Sequence, residues 1–559
     1  MSRKAYFVGA GVGSMMAAFF LMRDANFQGS DIIMLETLNI EGGSCDGTGS
    51  VETGFICRGG RMFNYPTFEC TWEVLKEIPS LNAPGKSVYK EIVDFNEHNI
   101  KNSKSRIVDK NGCRLDAQDM GFTMRDRMQL LKLVDTKETE IGASIITDWF
   151  SPEFFQTNFW IMWATTFAFQ PWHSAIELKR YMERFMHEFV RINTMEGIKS
   201  TPLNQYESMI VPLQNYLSKK GVSVKFDCTV EDVTMEESVG KLTAKTIHFR
   251  KAGKMEQIQL AQTDLLFIQN GCMTDAATIG SWTKPAELKG IADSTSFKLW
   301  EKLAMKYPGM GNPKPFMRNT NESIWQSYTV TMKNPELFKA FLAVYKNRPG
   351  IGQIMTFKDS NWFHGLVIAE QPHFRNQPKD VNTMWGYGLF PNKLGNFVNK
   401  PMLECSGQEI FYELCQTCRI PPELVHDVTC LPCVMPFITA QFMPRTVSDR
   451  PKPVPDNAVN FGFISQFVEI PFDTVFTVEY STRAAQTAVY ELCDVKKKIP
   501  KVSKHNKKVI VMIKAVRKAF MGGAGTLRER EMKKSNKLVK IGMIAAAGAL
   551  AYAAKKKFE

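Results

Sequence analysis

The sequence predicts an α/β protein: a discontinuous Rossmann-like domain, an inserted α+β domain and a helical C-terminal segment. Three observations predict it. The chain opens on an apolar strand, a glycine turn and an apolar helix, AYFVGAGVGSMMAAFFLM. Apolar strands return much later, in TDLLFIQNG at 263–271 and in AVNFGFISQF near the end. The stretches between carry their own aromatic and helical patterns, so insertions interrupt the first domain.

The elements follow in chain order. The first turn runs Gly9-x-Gly11-x-x-Ser14, with Gly13 inside it. The first glycine permits the tight turn. The second lets the backbone approach a pyrophosphate seated on the N-terminus of the next helix. Ser14 stands where a third glycine is usual, and is small enough for close helix–strand packing. The strand DIIMLE ends in Glu36, whose carboxylate suits an adenosine ribose. Gly43 and Ser44 follow, and then Arg58, Gly59, Gly60 and Arg61. Glycines let a chain lie against a flat ring or phosphates. Arginines offer fixed forks to anionic oxygens. Asn270 and Gly271 end the returning strand, and a later strand through Gly462 leads by a long loop into a helix that suits a flavin. Together these favour FAD over NAD.

The expected segments are 1–148, 201–285 and 431–495 for the FAD-binding domain, and 149–200 for a helical, aromatic-rich part of a ligand site. Residues 286–430 form the expected substrate domain, and 496–559 a basic C-terminal segment. Within 174–191, Leu178, Tyr181, Met182, Phe185, Met186 and Phe189 recur at helix spacing. By pattern alone Tyr181 is a core residue on an apolar face.

Composition narrows the function. At 559 residues, 44% hydrophobic and 11% aromatic, the chain can bury a large core. Its abundant Phe and Met suit an apolar ligand. The net charge of +13 is local: residues 496–559 hold 19 Lys/Arg and 3 Asp/Glu, a surplus of 16, so 1–495 carry about −3. This argues against nucleic acid and for an anionic membrane surface. The N-terminus enters a strand directly, with no signal-peptide pattern, so a cytoplasmic protein with reduced thiols is expected. Cys415/Cys418 and Cys430/Cys433 have zinc-like spacing but sit in apolar patterns, and are expected to be buried thiols with no metal. Near the end, KKVIVMIKAVRKAF mixes basic and apolar faces, and an apolar run spans 541–554. At about 1.5 Å per residue that run falls short of a bilayer core of about 30 Å. It reads as a peripheral, interfacial helix at anionic lipid, on the inner membrane surface, or as a helix docked on the body or a second subunit.

GAGVGSMMAAFFL, GGSCDGTGS, RGGRMFNYPTFECTW, QPWHSAIELKRYMERFMHEF, LNQYES, QPHFRNQPKDV, WGYGLFP, FITAQFMPR and FVEIPFDTVFTVEYSTRAAQTAVY resemble the oleate hydratase family, once called myosin-cross-reactive antigens. The resemblance runs to about residue 495. It implies an enzyme that adds water to a cis double bond of a free unsaturated fatty acid. It also implies FAD that organises the site without net redox chemistry and, in many members, a homodimer. It makes Tyr181 the proton donor. The family's glutamate directly after RGGR is Met62 here, which leaves Asn64 or Tyr65 to orient water, or none. Gln205 and His373 match the family's carboxylate-binding glutamine and histidine. Its threonine and asparagine just before that histidine are Val367 and Ala369. The alternatives are a flavin-dependent lipid oxidoreductase or isomerase on the same fold, and a non-catalytic binder of flavin and fatty acid.

Overall fold

The computed structural model describes residues 3–60 and 62–505, together with 511, 514, 515 and 518. Arg61 and the run 541–554 lie outside the described residues, as does most of 507–520.

Five strands form a wholly parallel sheet in the order Phe461–Phe463, Leu265–Ile268, Ala5–Val8, Ile32–Leu35, Ser223–Lys225. Ala5–Val8 is central and apolar because both faces of a parallel sheet are covered. Its Phe7 stacks on Phe267 at 4.8 Å between ring centroids. Ser223–Lys225 is polar and exposed, as an edge strand that must not recruit another chain should be. Helix Val12–Asp24 packs along helix Val478–Leu492, where Ala484, Ala485 and Ala488 are fully buried and allow close approach. Segments hundreds of residues apart thus build one nucleotide-type sheet, as the sequence predicts.

The second sheet has seven strands, in the order Thr278–Ile279, Val428–Met435, Trp325–Met332, Asn382–Gly388, His364–Val367, Ile354–Phe357, Ile107–Val108. Its pairings are antiparallel except the last. Ile107–Val108 and Thr278–Ile279 join this sheet, although their positions fall within segments expected for the first. Strand Trp325–Met332 is buried throughout. Tyr328, Val330 and Met332 face one apolar core, while the alternate residues serve another purpose. Thr331 and Thr329 Oγ1 accept the backbone N–H groups of Phe55 and Cys57, at 2.9 and 3.2 Å. Ser327 Oγ donates to the carbonyl of Arg58 at 3.3 Å. One strand face therefore clamps hairpin strand Gly54–Cys57 and sets where the chain continues into Gly59, Gly60 and Met62.

The same alternation decides the cysteines. Cys430 and Cys433, three apart in a strand, point to opposite faces and into different cores. Cys430 shares its core with Cys415 and Cys418. All four are buried free thiols, and burial pushes their pKa up, to about 12 for Cys415 and about 11 for Cys433.

The helical pattern at 174–191 divides. The α-helix is Ala175–Arg184, followed by a 3-10 turn at Met186–Arg191. The predicted apolar residues are still buried, but the turn lets Glu188 pair with Arg191 at 2.7 Å. The helix also carries charges that the apolar pattern did not reveal. Glu177, Arg180 and Arg184 are buried and paired with Arg445, Glu138 and Glu69, each at 2.7–2.8 Å. Such pairs specify geometry more than they add stability.

Candidate active site

The glycine turn borders a cleft with Gly11, Gly13, Gly43, Ser44, Gly271 and Phe476 in its wall. Gly9 adopts φ +86°, which only glycine takes at little cost. Gly11 caps helix Val12–Asp24, which has neither a side-chain cap nor an acidic residue in its first turn. Its leading N–H groups and dipole are thus available to an anion. A Cβ on Gly13 would meet the Ile464 carbonyl oxygen at 3.1 Å. Ser14 donates to the Gly9 carbonyl at 2.7 Å and ties the turn to its helix. Glu36 accepts from the N–H groups of Ala10 and Leu38, at 2.7 and 2.9 Å, and burial pushes its pKa up. Asn270 is fully buried and outside the wall: it donates to the Phe467 carbonyl at 3.1 Å and accepts at 2.7 Å from Ser465, which lines the cleft. These residues fit a dinucleotide diphosphate.

A second cavity meets the first at Cys45. Gly59, Gly60 and Met62 border it, with Gln205, His373 and Trp385. The two glycines therefore face this cavity and not the first, where they were expected to meet the flavin or its phosphates. Among the described residues, four buried polar atoms around it have no hydrogen-bond partner: Gln205 Oε1 and Nε2, His373 Nδ1 and Trp385 Nε1. Burial lowers the His373 pKa to about 4, so the ring is neutral. Val367 and Ala369 border the same space and offer no side-chain hydrogen bond. Both carboxylates of the wall are paired, Asp46 with Arg58 at 2.7 Å and Glu370 with Arg348 at 3.3 Å.

Three predicted site residues sit elsewhere or are engaged. Tyr181 lines neither cavity. It is 1% exposed, and its hydroxyl donates to the Val475 carbonyl at 2.5 Å, one residue before Phe476 of the first cleft. Burial holds its pKa well above the usual phenol value, and Glu177 and Asp473 add to the effect. Asn64 is 2% exposed and saturated: its amide donates to Glu188 at 2.7 Å, and its oxygen accepts from Thr67 at 2.9 Å. It lines neither cavity and cannot position water there in this arrangement. Arg58 is committed to Asp46, which opposes its expected role as a phosphate clamp.

A family model described as the MCRA family matches residues 2–490. The chain belongs to the MCRA family. An oleate hydratase of Streptococcus pyogenes serotype M49 (strain NZ131) is 38% identical over 516 residues, 89% of this chain and 86% of that protein. A linoleate hydratase of Lactiplantibacillus plantarum is 31% identical over 564 residues, 92% of this chain and 98% of that protein. A solved oxidoreductase from Methanosarcina mazei covers 87% of this chain and 100% of its own, at 12% identity and a TM-score of 0.49.

Two residues of this MCRA-family site escaped sequence reasoning. The Gln269 amide lies over the glycine turn, about 3.0 Å from where a Cβ on Gly11 would stand, and donates to Ser14 at 2.9 Å. Its place directly before the predicted Asn270-Gly271 was the available signal. Lys101 borders the second cavity at 1% exposure. No motif surrounds it, and most lysines are exposed.

Proposed function

We propose that this MCRA-family chain is a fatty acid hydratase that adds water to a cis double bond of a free unsaturated fatty acid such as oleate. The product is a hydroxy fatty acid, with no net redox change. The observation that carries this reading is the second cavity: its polar atoms without protein partners lie around Gln205 and His373, and its walls include Phe95, Met62, Val367 and Trp385. A buried polar group left unpaired costs about 1–3 kcal/mol. A carboxylate head accepting from Gln205 Nε2 offsets that cost, and a neutral His373 adds a second donor when its tautomer carries the proton on Nδ1.

The cofactor of this reading is FAD, with the diphosphate at Gly9–Ser14 and the ribose at Glu36. When bound, it would organise the site electrostatically, and hydration would leave its oxidation state unchanged. The chain itself must supply a proton and exclude bulk water. Tyr181 is the proposed donor, and its raised pKa keeps it in the acid form. Delivery requires its bond to Val475 to open. The loop carrying Val475 holds Phe472 and Phe476 at φ +67° and +68°, sparsely populated for non-glycine residues and suited to a segment that rearranges. Water then attacks a cation-like carbon and releases a proton that restores the Tyr181 phenol, so H and OH are added with no net proton change; this needs little base assistance and is compatible with Met62 where a carboxylate is missing. The basic C-terminal residues bring the body to anionic membranes, where free fatty acids partition.

The test is anaerobic incubation of flavin-loaded protein with oleate. A product heavier by one water supports the reading. Flavin turnover coupled to product supports the oxidoreductase alternative. Binding without product supports a lipid carrier.

A further inference from the structure

Lys101 follows helix Val88–His98 and enters the wall of the second cavity beside Gln205 and His373. Its ammonium donates to one acceptor, the Gly350 carbonyl oxygen, at 2.9 Å, and lies 5.2 Å from the centre of the Phe95 ring. Among the described residues no carboxylate comes within 4 Å of it. The charges acting on it are one carboxylate, Glu370, and two cations, Lys199 and Arg348. Glu370 is itself engaged by Arg348. A lysine this deeply buried is ordinarily paired, because taking an ammonium out of water without a counter-ion is expensive. Here burial lowers its pKa to about 8, which still leaves it mostly protonated at neutral pH. Among the described residues, the cation, the partnerless Gln205 amide and the neutral His373 ring border one cavity.

We propose that the Lys101 ammonium is the counter-ion of the substrate's carboxylate and makes this site select free acids over neutral lipids. This rests on the reading of the second cavity as the head-group site. The charge supplies what Val367 and Ala369 cannot, so the site binds its anion through one ion pair and the Gln205 and His373 hydrogen bonds. An ion pair formed by a buried ammonium is stronger than one at the surface, and its strength depends on the charge rather than on the donor alone.

Two non-reacting probes of equal chain length test this: stearate, which is charged, and octadecanol, which is not. Their affinities are measured by tryptophan fluorescence on the full-length protein and on two variants. Lys101→Gln retains a donor for Gly350 but no charge, and Lys101→Arg retains the charge. In Lys101→Gln, stearate affinity should fall by about tenfold or more, while octadecanol stays within about twofold. Lys101→Arg should recover most of the stearate affinity. Unchanged stearate binding by Lys101→Gln overturns the proposal. An equal loss for both probes also overturns it, since Lys101 would then only brace the Gly350 loop. Wild-type protein that binds neither probe removes the head-group reading itself.

Discussion

The hydroxyl of Tyr181 donates to the carbonyl oxygen of Val475 at 2.5 Å, and the next residue, Phe476, lines the nucleotide-side cleft. The proposed proton donor is thus one residue behind the site and tied to the loop that separates it from the cleft. Tyr181→Phe should abolish most hydration of oleate, measured as hydroxy acid formed. It should also lower stability by about 1–3 kcal/mol, because the buried Val475 carbonyl loses its partner. Near-normal turnover in this variant would exclude Tyr181 as the donor.

Met62 borders the cavity where the resemblance places a carboxylate. Met62→Glu puts a carboxyl into a part-buried wall that also holds the Lys101 ammonium, so burial raises its pKa while the ammonium lowers it. The expected rate change is modest, below the roughly 10²-fold at which a positioned general base contributes. Wild-type protein inert on every unsaturated fatty acid, but active as Met62→Glu, would make the missing carboxylate indispensable.

Gly11→Val places a branched side chain against the Gln269 amide and the helix N-terminus. The backbone there has φ −72°, which valine tolerates, so the fold should survive while flavin content collapses. Absorbance of the purified variant measures this. Full flavin content would move the cofactor elsewhere.

Burial lowers the pKa of His173 and His364 to about 3 and that of His373 to about 4. Unfolded histidine takes up its proton near 6.5. The stability associated with these neutral rings is therefore complete above about pH 6.5 and declines as the pH falls towards 4. The loss approaches about 1.4 kcal/mol per pH unit for each ring. Denaturant midpoints across pH 7 to 4.5 should follow this slope, and the imidazole NMR signals of these residues should not titrate above pH 5. A ring of the three that titrates near 6.5 would contradict its buried environment.

The first residues of the basic segment belong to the body. Ser503 Oγ donates to Glu69 at 2.6 Å, Arg483 donates to the Pro500 carbonyl, and the His505 ring lies tilted against that of His187, 4.0 Å between centroids. Removal of 506–559 should abolish sedimentation with anionic liposomes and lower the melting temperature, because Ala515 is buried in the main core with Val511 packed against it. Removal from 496 should lower the melting temperature further. Equal liposome binding without 506–559 would assign the membrane contact to the body.

The sequence by itself determined what depends on local pattern. The parallel strands at 5–8, 32–35, 265–268 and 461–463 were legible because apolar runs bounded by glycine have a short-range cause. The glycine turn was legible because only certain residues tolerate its geometry. Resemblance singled out Gln205 and His373, and folding brought them to the same cavity as Met62, Val367 and Ala369. Tertiary structure alone decided what each polar side chain touches. Asn64 looked free in RGGRMFNY and is bound by Glu188, 124 residues away. Arg58 looked like an anion clamp and is held by Asp46. Lys101 carried no signal, since its burial comes from Gly350 and Phe95 closing over it. Hydrophobic periodicity records which face a residue takes. It does not record which distant group satisfies a hydrogen bond or charge, and at this site those partners set the chemistry.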